Sequence, residues 1–299
     1  MLELRILTSK TWRKIQSTTP TVYRTFTQYV LSLSEWEQCL LLGVNFVLSP
    51  YEILNELDTP SNKSILTVSD GSVKTNQLTF GWVCGTDNTI FATHAGQGFG
   101  DPTSHRAESW GMLSGALFLH HLYQYTRGYT PSHSVYYRIT FATDNNGLVT
   151  RIKQRLEYTR PYPNSTLAPD WEIIEQIHQT IKLLPHKMIQ IEWVQGHQDP
   201  ADPNLTIVAR YNIKADNLAS HAECTSQTIQ HLRLLPAARC SLTIDDRVIT
   251  GHYSSQIRTA FVLPTYFEYL TQRYGWTAAL QKSVNWKVFQ RAAANSWLP

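Results

Sequence analysis

The sequence lacks the features that announce membranes, secretion or a disulfide framework. Its unbroken apolar runs are only a few residues long, as at 39–42, far short of the roughly 20 needed to cross a bilayer. No basic stretch followed by an apolar core opens the chain, so no secretory signal is expected. Cysteine is scarce: Cys39, Cys84, Cys224 and Cys240 are the only four. None forms a C-x-x-C pair and no His-x-x-x-His lies near them, which argues against zinc. Free, partly buried thiols in a reducing compartment are the plain reading, and the expected location is intracellular, nucleus or cytoplasm. A strong charge of one sign is missing too, since the net charge is only +3. That small surplus is unevenly placed. Residues 1–60 hold five Lys/Arg against six Asp/Glu, residues 61–225 thirteen against fourteen, and residues 226–299 eight against three.

What is present reads as a globular α/β chain. Hydrophobic residues make up 42% and charged residues 16% of 299, a soluble rather than disordered composition. The first sixty residues read as a helical segment. Apolar residues recur at helical spacing over 21–33, Ser34 and Glu37 form a capping-box pattern before a second helix from Glu35, and Pro50 opens a third. The turn-rich stretch 58–63 marks a boundary. Strands are then expected at 64–69, 78–84, 89–93, 136–143 and 188–194, and helices at 103–125, 147–158, 170–184 and 210–223. On the long helix, Ala107, Gly111 and Gly115 form a stripe of small residues that lets it press close to a sheet. The order βββαβααβα implies a mixed five-stranded sheet: an antiparallel meander, then parallel strands reached by right-handed crossovers, with helices on both faces. Three regions follow: 1–60, 61–225 and the basic, aromatic-rich 226–299, with helical flanks on either side of the sheet.

Four carboxylates fall where such a sheet would gather them. Asp70 ends the first strand in VSDGS (68–72), Glu108 lies in the first turns of the long helix in HRAESWG (105–111), Asp144 ends the fourth strand in FATDNN (141–146), and Asp216 lies on the closing helix in NIKADNLA (212–219). The ends of adjacent parallel strands form a natural crevice. Singly, each has an ordinary explanation: a turn at Asp70-Gly71, a helix cap at Asp144-Asn145, solvated helix faces for Glu108 and Asp216. Together they would repel, and a crowd of like charges is usually neutralised by hard cations, Mg²⁺ above all and Mn²⁺ as a substitute. Two such ions about 4 Å apart can clamp both oxygens of a phosphodiester displacement.

The strings VSDGS, HRAESWG, FATDNN, EWVQGH (192–197) and NIKADNLA, in this order over residues 65–222, resemble type 1 ribonuclease H, of the kind found in retroelement polyproteins. The resemblance implies endonucleolytic hydrolysis of the RNA strand of an RNA–DNA hybrid with two metal ions. It implies that Asp70 bridges both metals, that Glu108 contacts one metal and the RNA 2′-hydroxyl, that Asp144 holds the ion that activates water, and that Asp216 completes that ion's shell. His197 matches the loop histidine that assists proton transfer or product release. Asn76, Ser104, Asn146 and Asn212 match polar contacts to the hybrid, where amides and hydroxyls can distinguish RNA by its 2′-hydroxyl. Two departures stand out. An inserted stretch, 199–204, lengthens the loop between His197 and Asp216, giving it room to move or to bind something extra. The basic protrusion that grips substrate in some members is thin, with only Arg151, Lys153, Arg155 and Arg160 nearby, and a solvated helix face explains these equally well.

Within the fold, proofreading exonucleases place a Glu two residues after the first Asp, where this chain has Ser72. Integrase relatives lack a mid-chain helix Glu. The rival of another class is a catalytically inactive module that binds nucleic acid or supports a polymerase. Residues 50–52 and 269–286 are similar to segments flanking the nuclease in non-LTR-like retroelement polyproteins, which implies a reverse transcriptase as partner. In the tail, 264–270 reads as the start of a helix with Pro264 in its opening turn. Its cations Arg258, Arg273, Lys282, Lys287 and Arg291, interleaved with aromatic rings, suit a nucleic-acid strand; the other reading is that the rings pack a small helical subdomain.

Overall fold

The computed structural model describes residues 4–8, 11–15, 23–58, 64–75, 77–126, 138–160, 163–184, 188–222, 235–238, 242–244, 247–286 and 288. An N-terminal hairpin pairs β1 (Leu4–Thr8) with β2 (Thr11–Ile15). Three short helices follow, α1 (Phe26–Val30), α2 (Glu35–Leu41) and α3 (Pro50–Asp58), with the two-residue strand β3 (Asn45–Phe46) before the last. Then come β4 (Ser64–Lys74), β5 (Gln77–Gly85), β6 (Ile90–Gly98), α4 (Ser104–Tyr125), β7 (Arg138–Thr143), α5 (Asn146–Glu157), a 3₁₀ turn (Pro163–Leu167), α6 (Trp171–Leu183), β8 (Met188–Trp193) and α7 (Ile207–His221). The C-terminal region holds the hairpin β9 (Leu242–Ile244) and β10 (Arg247–Ile249), then α8 (Tyr253–Tyr274) and α9 (Ala278–Ser283).

The main sheet has the order β3-β6-β5-β4-β7-β8. β4, β5 and β6 form the expected antiparallel meander, and β7 and β8 join it in parallel. The expected sheet is thus present with one correction: it has six strands, not five. The sixth, β3, pairs antiparallel with β6 (Asn45 opposite Thr93, Phe46 opposite Ala92). Two residues carry no readable period, and an exposed sheet edge accepts any short extended segment that satisfies its open backbone groups. The purely helical reading of residues 1–60 is corrected likewise by β1 and β2, whose Ile, Thr and Trp residues suit a strand.

Alternation along the strands builds two cores. Ile65, Phe80 and Trp82 pack with α4, α5 and α6 residues on one face, and the α1–α3 residues Phe26, Val30, Leu40, Leu41, Ile53 and Leu57 belong to the same cluster. Leu66, Val68 and Val83 pack with Tyr211 and Ala215 of α7 on the other face. The small-residue stripe of α4 works as expected. A Cβ on Gly111 would lie 3.0 Å from the Ser69 Cβ, and one on Gly115 2.6 Å from a Thr67 methyl. Gly71 comes closer to the backbone of α4 than either: a Cβ there would meet the Glu108 amide nitrogen at 2.3 Å. The start of α4 therefore rests directly on β4.

In the C-terminal region, α8 begins at Tyr253, so Pro264 stands inside the helix and not in its opening turn. The proline forgoes one backbone hydrogen bond, a loss a helix of 22 residues carries. Among the described residues, no helix is long and apolar enough to cross a membrane. Among the described residues neither Cys39 nor Cys84 forms a disulfide, and burial pushes the Cys84 thiol up to about 12; Cys224 and Cys240 lie outside the described residues.

Candidate metal-dependent active site

β4 runs on past Asp70 to Lys74, so Asp70 does not end its strand. It sits two residues beyond the last parallel pair, Val68 with Ala142, where β4 stays bonded only to β5. β7 stops at Thr143, and Asp144 follows it out of the sheet. The crevice opens at this divergence. Strand alternation turns Ser69 and Gly71 toward α4 and Asp70 toward the opposite face, while Glu108 enters from the first turn of α4, whose Thr103 cap accepts the Arg106 amide.

Oxygens of Asp70, Glu108 and Asp144 all lie within 4.8 Å of one another. Asp70 and Glu108 are buried, at 5% and 4% exposure. Among the described residues no Lys or Arg forms an ion pair with the three. Burial, then the charge of Asp144, pushes the Asp70 carboxyl up to about 6. Burial, with Asp70 and Asp144 behind it, raises Glu108 well above the usual carboxylate range, and Glu108 hydrogen-bonds to Asp70. The Thr143 hydroxyl donates to Glu108 Oε2 at 2.6 Å, and the Gly71 amide donates to Asp70 Oδ1 at 2.6 Å. Crowded, buried, oxygen-only donors without a balancing cation fit a hard divalent ion.

The remaining expected residues are placed less uniformly. Asp216, on α7, falls outside the 4.8 Å group; it is half-buried, accepts from the Ser220 hydroxyl at 3.3 Å, and its charge acts on Asp70. His197 is exposed in the loop after β8, with a left-handed φ of 51°. That loop is held against the crevice: a Cβ on Gly196 would lie 2.2 Å from Asp144 Oδ2, and Trp193 Nε1 donates to the Asp144 carbonyl at 2.8 Å. The inserted stretch is folded on itself by Asp199 and Asp202, which accept from the amides of Ala201 and Asn204. Ser104 and Asn146 are exposed at the first turns of α4 and α5. Asn145 caps α5 through the Leu148 amide, leaving the Asp144 carboxylate free. Asn212 is buried, with its Oδ1 unpaired. Asn76 lies outside the described residues.

Sequence reasoning missed Thr143, Trp193 and Gly196 as supports of the carboxylates. All three sit inside or beside the strings that carry the resemblance, and their adjacency to Asp144 and His197 was the available signal. It also missed Arg106, which is 1% exposed and pairs with Asp170 and Glu172 at 2.7 Å each. Arg155 is likewise a structural cation: it is 5% exposed and grips Glu175 through two hydrogen bonds.

No protein-family model matches the chain, and no curated protein matches it. Similar solved structures include the N-terminal ribonuclease H domain of a Mycobacterium tuberculosis protein, fused to maltose-binding protein (17% identity, TM-score 0.34, covering 53% of this chain and 91% of that one). A second is LC11 ribonuclease H1, isolated from compost, in complex with an RNA/DNA hybrid (13%, 0.36, 53% and 96%). A third is a foamy viral protease–reverse transcriptase with RNA/DNA hybrid (14%, 0.36), of which this chain spans 19%. The architecture itself stands on the strand order and registers given above.

Proposed function

We propose that the chain is a ribonuclease H, a metal-dependent nuclease that hydrolyses the RNA strand of an RNA–DNA hybrid. One observation carries the reading: three carboxylates, two of them buried, crowd within 4.8 Å at the divergence of β4 and β7, and among the described residues no Lys or Arg pairs with them. Asp70, Glu108 and Asp144 would hold divalent cations, Mg²⁺ or Mn²⁺, with Asp216 completing the set from α7. When bound, a pair of such ions supplies Lewis-acid polarisation of the phosphate and a water of lowered pKa. The protein's own part is orientation. Thr143 and Gly71 fix the Glu108 and Asp70 oxygens, and Gly196 and Trp193 hold the loop against Asp144, which keeps His197 beside the site for proton transfer. Ser104, Asn146, Asn76 and Asn212 are proposed contacts to the hybrid; of these, Ser104 and Asn146 present their side chains to solvent at the crevice.

The test is incubation with labelled hybrid, single-stranded RNA and double-stranded DNA, with and without Mg²⁺. The expected result is Mg²⁺-dependent cutting of the hybrid's RNA strand alone, leaving 3′-hydroxyl and 5′-phosphate ends. A 2′,3′-cyclic phosphate product would overturn it. Binding without cutting would make the chain a nucleic-acid-binding or polymerase-supporting module. The retroelement setting, a reverse transcriptase partner and an intracellular location rest on the sequence resemblance. Finding no reverse transcriptase in the same transcript would remove the first two, and fractionation of cells tests the third.

A further inference from the structure

The C-terminal helix α8 is unusual for a helix of 22 residues in burying only Leu270. Part of its aromatic content is spoken for. Trp286 packs on Tyr266, Phe267 and Trp276 at centroid distances of 5.8, 5.3 and 6.5 Å, closing the turn from α8 to α9. Three further rings are exposed: Phe261 is 77%, Tyr269 47% and Tyr274 59% exposed, the last two edge to face at 6.1 Å, with Tyr269 also stacked 6.5 Å from Tyr266. At 100° per residue, Phe261, Arg258, Tyr269 and Arg273 share about 120° of the helix surface. The Arg273 guanidinium lies 5.8 Å from the Tyr274 ring centroid. Over 253–286 the chain carries Arg258, Arg273 and Lys282 against Glu268 alone, whereas residues 61–225 have no positive surplus with which to hold a polyanion.

The foot of α8 is fixed beside the carboxylate site. Thr250 donates its amide to Asp101 Oδ2 at 3.0 Å, and its carbonyl accepts the Asp170 amide at 2.7 Å. His252 and Gln256 then line a cavity of about 460 Å³ together with Arg151 and His105. Asp170 also borders it, but its charge is engaged by Arg106 and, at 3.4 Å, by His105. His105 stands one helical turn before Glu108, so cavity and site share the first turn of α4.

We propose that the exposed stripe Arg258–Phe261–Tyr269–Arg273 forms a track for single-stranded nucleic acid leaving the carboxylate site, which is a deepening of the ribonuclease reading. Cations follow phosphates, and exposed rings stack on unpaired bases that a duplex would keep out of reach. Stacking of this kind tolerates any sequence. From Arg258 to Arg273 the stripe runs along about 23 Å of the helix, on the face turned away from the cavity lined by His252 and Gln256.

The experiment titrates the full chain, in EDTA, with fluorescent hybrids that are blunt or carry a DNA or RNA single-stranded extension of roughly ten nucleotides. The extended hybrids are expected to bind about tenfold more tightly. Tyr269→Ala should erase much of that gain. Arg258→Gln with Arg273→Gln should reduce the salt slope by about 1.4, which is about 0.7 for each phosphate that is no longer neutralised. All four stripe positions are exposed, and circular dichroism confirms that the variants fold. Equal affinity for blunt and extended hybrids, or variants without effect, would overturn the proposal. So would concentration-dependent self-association, abolished by Phe261→Ala, which would make the face an interface between copies. Cleavage by the wild-type chain in Mg²⁺ separates the two readings. Absent cleavage with retained extension binding defeats only the nuclease assignment, and the converse defeats only the track.

Discussion

Two carboxylate clusters meet the first two turns of α4, and they treat charge in opposite ways. In one, Asp70, Glu108 and Asp144 crowd together, and no Lys or Arg among the described residues pairs with them. Burial raises Asp70 and Glu108, and the neighbouring charges add to it. In the other, Asp170 and Glu172 flank the buried guanidinium of Arg106. Burial again pushes Asp170 up, but His105 and Arg106 more than offset it and hold its carboxyl below the usual value. The carboxylates are of the same kind, and each cluster meets α4 within two residues of the other, at Glu108 and at Arg106. The second cluster is complete as folded and fastens α4 to α6. The first is left short of positive charge among the described residues, which a divalent cation would supply.

The sharpest way to break this comparison is to remove one charge from each cluster. Asp144→Asn should lower hybrid cleavage by about a thousandfold or more, since a ligand is removed while the shape is kept. Its unfolding midpoint in urea without metal should stay level or rise, because repulsion is relieved. Cleavage near the wild-type rate would dissolve the proposed site. Arg106→Met should act with the opposite sign on stability. It strands two carboxylates and should cost about 3–5 kcal/mol in the same urea titration; an unchanged midpoint would show the cluster to be idle.

A smaller effect should appear on varying pH. Asp70 and Glu108 have raised folded pKa values, so the folded, metal-free protein binds their protons more tightly than the unfolded chain does. Their contribution to stability is full below about pH 4; that of Asp70 is lost as pH rises through about 6, and that of Glu108 as pH rises through its own raised value. Asp170 works in reverse, contributing above the usual carboxylate pKa and fading as the solution turns acid. Burial pushes His94 and His178 down to about 4, and they act in the opposite sense over the same interval, so the effect is read as a difference. From pH 5 to roughly pH 7 the melting temperature in EDTA should fall relative to that of Asp70→Asn, and Mg²⁺ should restore stability at the upper end, where the carboxylates are free to bind it. A difference that stays constant, or moves in the wild type's favour, across this interval would contradict the raised values.

The mildest changes belong to the loop. Gly196→Ala would drive a methyl into Asp144 Oδ2 and should cut the rate by about a hundredfold, the usual penalty for an ångström of misplacement. His197→Ala leaves the carboxylates in place and should cost less, about tenfold, at the low end for a proton-transfer group. Single-turnover rates on a saturating hybrid measure both. If His197→Ala proved worse than Asp144→Asn, the order of importance would be reversed.

Period and small-residue spacing were enough to read most of the fold in the chain itself. The meander, the crossover strands and the helices follow from hydrophobic alternation and turn residues. The Ala107–Gly111–Gly115 stripe announced a helix pressed on a sheet, and it is one. The three crowded carboxylates were legible because the strings around them mark a strand, a strand end and a helix start, which are local features, although β4 runs on past Asp70. Local signals did not reveal β3, because Asn45 and Phe46 become a strand only when β6 offers an edge. Nor did they fix where α8 begins, because Pro264 is a common helix opener that here stands inside the helix.

The sequence by itself thus determined which residues could do chemistry, since side-chain type and the order of elements along the chain are fixed before folding. Tertiary structure alone decided how they are used. It left Asp70, Glu108 and Asp144 without a cation while giving Asp170 and Glu172 Arg106, set Gly196 against Asp144, and fastened the foot of α8 beside α4. Each of these is a meeting of residues tens of positions apart. Charge and burial act through distance in space, and only the closed fold sets that distance.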